Sequence, residues 1–159
     1  MDVYSRIERA KRDGAWKLDL SGMGLTELPD EIGQLTALEW LDVSDNQLAA
    51  LPSAIGQLAA LRWLYVYSNH LTSLPAAIGD LTALQVLYIS NNRLTSLPDE
   101  IGKLAALEEL SVSDNRLTEL PAAIGQLTAL KMLSVSDNRL TSLPHELGLL
   151  QSMGRIRLD

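Results

Sequence analysis

Few residues in this chain are equipped for chemistry, and their spacing decides which chemistry is open to them. The histidines, His70 and His145, occupy different positions of a repeat, and neither has a nucleophile placed to build a hydrolytic triad. Glu108 and Glu109 are consecutive, so on a strand they point to different sides rather than at one substrate. Asp45, Asp114 and Asp137 recur one per unit and lack the clustered loop that calcium requires. The chain has no cysteine and no G-x-x-x-x-G-K-S/T phosphate loop. Neither catalysis nor a metal or cofactor is therefore expected. The remaining resource is aromatic. Of seven aromatic residues, five (Trp40, Trp63, Tyr65, Tyr67 and Tyr88) fall in three matching stretches, WLDVSDN, WLYVYSN and VLYISNN. Tryptophan and tyrosine are the residue types enriched where proteins bind partners.

The elements that must hold these rings follow from a repeat. All six prolines, from Pro29 to Pro144, are spaced 23 residues apart, and Gly33, Gly56, Gly79, Gly102, Gly125 and Gly148 keep the same spacing four residues later. In LEWLDVSDN the alternation of Leu41 and Val43 with Trp40, Asp42 and Ser44 predicts a half-buried strand. Stacked units place such strands side by side as a parallel sheet, roughly 4.8 Å apart. The other recurring apolar positions, such as Leu35, Leu38, Leu48, Leu51 and Ile55, are expected to fill the interior. Proline after Leu51 has no N–H and takes the chain out of the sheet, and Gly56 is expected to permit the turn back. Residues 53–61 and their equivalents are then short helical or turn segments on the outer wall.

This pattern, L-x-x-L-x-x-L-x-V-S-x-N-x-L-x-x-L-P-x-x-I-G-x, resembles the leucine-rich repeat family over nearly the whole chain. Its 23-residue Leu-Pro-x-x-Ile-Gly form looks most like the Ras-group intracellular proteins and the repeat domains of bacterial Roco-type GTPases. The resemblance implies an α/β solenoid. In this right-handed superhelix a parallel β-sheet lines the concave side and short helical turns the convex side. A part unit spans 15–34, five full units 35–149, and a fragment 150–159. Residues 1–14 form an N-terminal capping helix with Val3, Ile7 and Ala10 on one face, Asp2 as its cap, Gly14 at its end, and Trp16 packed beneath. In LQSMGRIRLD, residues Leu150, Met153, Ile156 and Leu158 are in register with another unit. Either its strand is the cap, or the chain was cut from something longer. The near-identity of the units permits a consensus design, whereas irregular substitutions such as VYSNH argue for a natural, recently duplicated gene.

Aligned units turn the sequence into a surface map. The outward columns read Lys17, Trp40, Trp63, Val86, Glu109, Met132, Arg155; then Asp19, Asp42, Tyr65, Tyr88, Ser111, Ser134, Arg157; then Ser21, Ser44, Tyr67, Ser90, Ser113, Ser136, Asp159. Trp40 should neighbour Trp63, and Tyr65 should neighbour Tyr88. Cross-strand aromatic pairs stabilise a sheet by about 0.2–1 kcal/mol each. Other strands of this sheet manage with serine, so a binding surface is the better reading. The expected partner-binding residues are Trp40, Asp42, Arg62, Trp63, Tyr65, Tyr67, Val86, Tyr88 and Glu109, within units from Leu35 to about Lys103. Asp42, Asp45, Glu108 and Glu109 suit a protein partner with basic and apolar groups. Carbohydrate binding is the rival, since sugars also dock on such rings, with Asp42, Asp45, Asn91 and Arg62 as its polar groups. The repeat arm of a larger GTPase or effector is a third reading.

Two further columns admit structural and functional readings. Asn46, Asn69, Asn92, Asn115 and Asn138 stand at the strand exits as either a polar ligand ladder or, preferred here, amides that satisfy buried backbone groups. Arg93, Arg116 and Arg139, with Asp114 and Asp137 before the ladder, are an anion stripe or, preferred, an inter-unit charge ladder. The net charge of −7 opposes nucleic acid and anionic membranes, and 47% apolar with 21% charged content is ordinary for a soluble scaffold-like domain. Absence of cysteine and of an apolar leader in MDVYSRIERAKRDG points to the cytoplasm; self-association remains open.

Overall fold

The computed structural model describes residues 1–152 and 157–158. Helix α1 (Val3–Asp13) starts where the Asp2 carboxylate accepts the Ser5 N–H at 2.8 Å. It ends where Gly14 turns left-handed at φ 57° and the N–H groups of Gly14 and Ala15 return to Lys11 and Ala10. Its buried residues Val3, Ile7 and Ala10 close one end of the core.

Seven parallel strands follow in sequence order: β1 (Lys17–Asp19), β2 (Trp40–Asp42), β3 (Trp63–Tyr65), β4 (Val86–Tyr88), β5 (Glu109–Ser111), β6 (Met132–Ser134) and β7 (Arg157–Leu158). Facing them, 3-10 helices at Asp30–Gln34, Ser53–Gln57, Ala76–Asp80, Asp99–Lys103 and Ala122–Gln126 form the outer wall. Each is preceded by a proline in extended backbone whose carbonyl accepts the first helical bond. The result is an α/β solenoid. Its interior is a column of leucine and isoleucine, with Leu41, Leu64, Leu87, Leu110 and Leu133 from the strands fully buried. Burying one such side chain contributes about 1.5–3 kcal/mol.

Four local expectations are corrected. The recurrent glycines are not turn residues: among the described residues, positive φ at glycine occurs only at Gly14, Gly22 and Gly24. A Cβ on Gly56, Gly79 or Gly102 would instead sit 2.7–2.8 Å from a backbone oxygen of the next 3-10 helix, so glycine is required by close stacking. Trp16 does not pack beneath α1 but is 57% exposed. It occupies the repeat position of Glu39, Arg62, Gln85, Glu108 and Lys131, just before each strand, where side chains turn outward.

At the C-terminal end, helix α2 (His145–Ser152) replaces the five-residue 3-10 turn and runs through Leu150, where a new unit was expected to begin. The longer helix adds two residues to the crossover. Met132 consequently pairs with Arg157 rather than Arg155, and Leu133 with Leu158 rather than Ile156. Met153, Arg155, Ile156 and Asp159 lie outside the described residues. Finally, Ser44, read as outward-facing, is fully buried.

The asparagine column holds the units together. The Asn69 amide donates to the carbonyls of Val43, Val66 and Tyr67 at 3.0–3.3 Å, and its oxygen accepts the Leu48 N–H at 3.0 Å. Asn92 and Asn115 repeat this set one and two units on. In the first unit Asn46 accepts from both Met23 and Leu25, whose turn is carried by Gly22 and Gly24 at φ 63° and 67°.

Candidate recognition surface

The site is built by the first and third residues of each short strand, which face away from the leucine core. Backbone register sets Trp40 opposite Trp63, Trp63 opposite Val86, and Tyr65 opposite Tyr88. Ring contacts run along a different line. Trp40 packs against Tyr65, diagonally across β2 and β3, with centroids 5.6 Å apart and planes at 58°. Tyr65 meets Tyr88 edge-on at 5.4 Å and 61°. Both geometries lie in the favourable range for aromatic quadrupoles. Diagonal contact between neighbouring strands lies within reach of large side chains, so a row of rings can slant across the sheet.

Charges close both ends of this row. The Lys17 ammonium sits 4.3 Å above the Trp40 ring, a cation–π contact from β1. At the other end the Tyr88 hydroxyl donates to the Glu109 carboxylate on β5. Burial, reinforced by this bond to Glu109, pushes the Tyr88 phenol up to about 12. Burial also raises Tyr65, against an opposing contact from Trp40 and with Asp42 and Glu109 adding to the rise. Lys17, Trp40, Tyr65, Tyr88 and Glu109 thus form one contact chain spanning β1 to β5. Sequence columns contained Lys17 beside Trp40, but its part in the row needed the side-chain geometry.

The remaining candidate residues distribute around this row. Trp63, Tyr67 and Val86 are half-buried, while Arg62 is exposed just before β3. The Asp42 carboxylate is turned onto Ser44, accepting its N–H at 2.8 Å and its hydroxyl at 2.5 Å. Asp19 holds Ser21 in the same way, and these bonds lower its carboxyl below the usual range. Glu108 and Glu109 do diverge: Glu108 pairs with Lys131 at 3.4 Å, whereas Glu109 serves Tyr88. Asn91 donates to the Ser68 hydroxyl at 3.0 Å.

Elsewhere the chemistry is sparse. Among the described residues there is no cluster of three or more His, Asp or Glu that could hold a metal ion. His70 is half-buried in one unit, and exposed His145 begins α2. The expected inter-unit charge ladder is corrected: the ion pairs among the described residues are Arg9–Asp13 and Lys131–Glu108, and Arg93, Arg116 and Arg139 belong to neither. Exposed pairs gain only about 0–1 kcal/mol, too little to order two long side chains. No helix among the described residues is long and apolar enough to cross a membrane.

Comparison with known proteins agrees with this architecture. A leucine-rich repeat region model matches residues 17–92, and a second leucine-rich repeat model matches 68–117 and 82–140. A leucine-rich repeat protein of Leptospira interrogans is 30% identical in sequence and superposes with a TM-score of 0.65. The match covers 96% of this chain and 56% of that protein, so the chain spans little more than half of its length. No curated protein sequence matches the chain.

Proposed function

The chain belongs to the leucine-rich repeat family, and from that premise we propose that it is a non-catalytic module binding a protein partner on the aromatic concave face. Leucine-rich repeats in general mediate protein–protein interaction, which supports the class of function. The observation that carries the face is the continuous row of contacting rings across β2, β3 and β4. Their half-buried faces offer a broad apolar platform that ordering hardly penalises, because adjacent rings already hold one another in place. Trp63 and Tyr67 widen it.

The partner presents apolar groups with a nearby cation. Lys17 on the Trp40 ring is an intramolecular example of the contact a partner's lysine or arginine would make on Trp63. Asp42, Asp45 and Glu109 supply the complementary negative rim, and Arg62 marks where an acidic group of the partner would lie. Partner contact is expected over the units from Leu35 to about Lys103, in a cytoplasmic setting. The carbohydrate reading is weaker, because Asp42 and Asn91, two of the polar groups it needs, are already engaged by Ser44 and Ser68.

The test is an affinity capture with wild type and the triple variant Trp40→Ala, Trp63→Ala, Tyr65→Ala, after circular dichroism shows the variant folded. A protein retained by wild type and lost by the variant supports the face. Truncating central aromatic anchors should cost at least about 2 kcal/mol, roughly a thirtyfold loss of affinity. Equal retention by both moves the site away from the rings. A glycan array that gives sugar hits lost in Trp63→Ala would replace the protein reading.

A further inference from the structure

A second surface lies at the N-terminal end of the solenoid. Between α1 and β1 runs a groove of about 370 Å³ lined by Met1, Arg6, Arg9, Ala10, Asp13, Ala15 and the three residues of β1. Its wall on one side is a free sheet edge. In the ladder to β2, the Trp16 carbonyl accepts the Trp40 N–H and the Leu20 N–H reaches the Asp42 carbonyl. Backbone groups alternate sides along a strand, so Lys17 and Asp19 direct theirs away from β2 and into this groove. The Asp19 carbonyl confirms the direction, because it accepts the Arg6 guanidinium at 3.1 Å. That bond occupies the Asp19 carbonyl, leaving the Lys17 N–H and C=O and the Asp19 N–H facing the groove.

We propose that this groove is a distinct binding site, in which an extended peptide carrying a carboxylate side chain adds to the outer edge of β1. Strand addition uses the open backbone groups of Lys17, and the floor of Ala10, Ala15 and Leu18 accepts small apolar side chains. Charge selects the acidic class of peptide. Arg6 and Arg9 face two carboxylates, and that of Asp19 is turned onto the Ser21 amide and hydroxyl at 2.9 and 2.6 Å, while the Lys17 ammonium lies over the Trp40 ring. Asp13 contacts Arg9 at 3.9 Å, a long exposed pair that an incoming carboxylate displaces. Arg9 therefore holds the peptide's acid, and the β1 edge holds its backbone. The site shares with the concave face only Lys17, whose backbone faces the groove while its ammonium lies on Trp40.

The test is amide-resolved NMR of the full chain titrated with a capped pentapeptide, Thr-Val-Glu-Val-Thr, to about 5 mM, since strand addition at so short an edge has a Kd on the order of 1 mM. Saturable shifts at Lys17, Asp19 and Arg9 are expected. The same peptide with glutamine at its centre, and the variant Arg9→Glu, should each weaken binding about tenfold, as loss of one charged contact does. Lys17→Pro removes the outward N–H while leaving the β2 ladder intact, and it should abolish the shifts at Asp19 and Arg9. Trp63→Ala should bind like wild type. Should Lys17→Pro fail to fold, the glutamine peptide and Arg9→Glu decide the matter. Absence of shifts at Lys17, or equal binding of the glutamate and glutamine peptides, overturns the proposal.

Discussion

Gly79 and Gly148 occupy the same position of the repeat, yet alanine should have opposite effects at the two. A Cβ on Gly79 would lie 2.7 Å from the Glu100 carbonyl oxygen and 2.9 Å from the Glu100 Cβ, contacts that real structures do not tolerate. The obstacle is the backbone of the next 3-10 helix, which is itself stacked on the following unit, so the strain spreads along the array. Overpacking of this kind costs about 1–3 kcal/mol. Alanine recovers about 0.4–1 kcal/mol by restricting the unfolded chain, leaving a net loss for Gly79→Ala of about 1–2 kcal/mol. Gly148 lies within α2 and has nothing within 4 Å of its hypothetical Cβ among the described residues. There the helix propensity of alanine operates unopposed and should add up to about 1 kcal/mol. Urea unfolding followed by circular dichroism measures both. The expected result is a lower midpoint for Gly79→Ala and an equal or higher one for Gly148→Ala, with the urea slope unchanged in each. Destabilisation of both variants alike would refute the stacking argument, because only Gly79 meets a stacked backbone.

Other predictions follow from single contacts. Asn92→Ala removes the acceptor of the Leu71 N–H and the donor to the Val66, Ile89 and Ser90 carbonyls. It should lower stability by about 2–3 kcal/mol, read by urea unfolding, with loss of hydrogen-exchange protection centred on the adjoining units; an unchanged midpoint would show the ladder to be dispensable. Spectrophotometric titration should find one of the four tyrosines ionising near 12, and Glu109→Gln should bring that one down. Because the folded Tyr88 phenol is raised above its ordinary value of 10.0, its contribution is complete below pH 10 and is lost as pH climbs from 10 through about 12. Ser68 adopts φ 55° in a column otherwise held by Asp45, Asn91, Asp114 and Asp137. Ser68→Asn should therefore stabilise the chain by about 1 kcal/mol, measurable as a raised thermal midpoint, since asparagine tolerates left-handed backbone better.

Period and composition determined the architecture. A 23-residue spacing of leucine, proline and glycine cannot be satisfied by any local structure alone, because each unit exposes an apolar face that only a stacked neighbour can cover. The positions of Leu41, Leu64 and Leu87 in the core, and the opposition of Trp40 to Trp63 and Tyr65 to Tyr88, follow from alignment of the units. Side-chain direction and the ends of the array required tertiary structure. Ring contacts do not follow the backbone register: Trp40 reaches diagonally to Tyr65 rather than to Trp63 opposite it, while Lys17 covers it from β1. Asp42 folds back on Ser44, as Asp19 does on Ser21, a local Asp-x-Ser bond that takes the carboxylate out of the outward column. Gly79 and Gly148 are equal in the repeat and unequal in the solid, because one meets a stacked backbone and the other does not. At the final crossover an eight-residue α-helix stands where the preceding units have a five-residue 3-10 helix, moving the last pairing from the expected Arg155 to Arg157. A repeat specifies what recurs; the packing of unlike neighbours decides the rest.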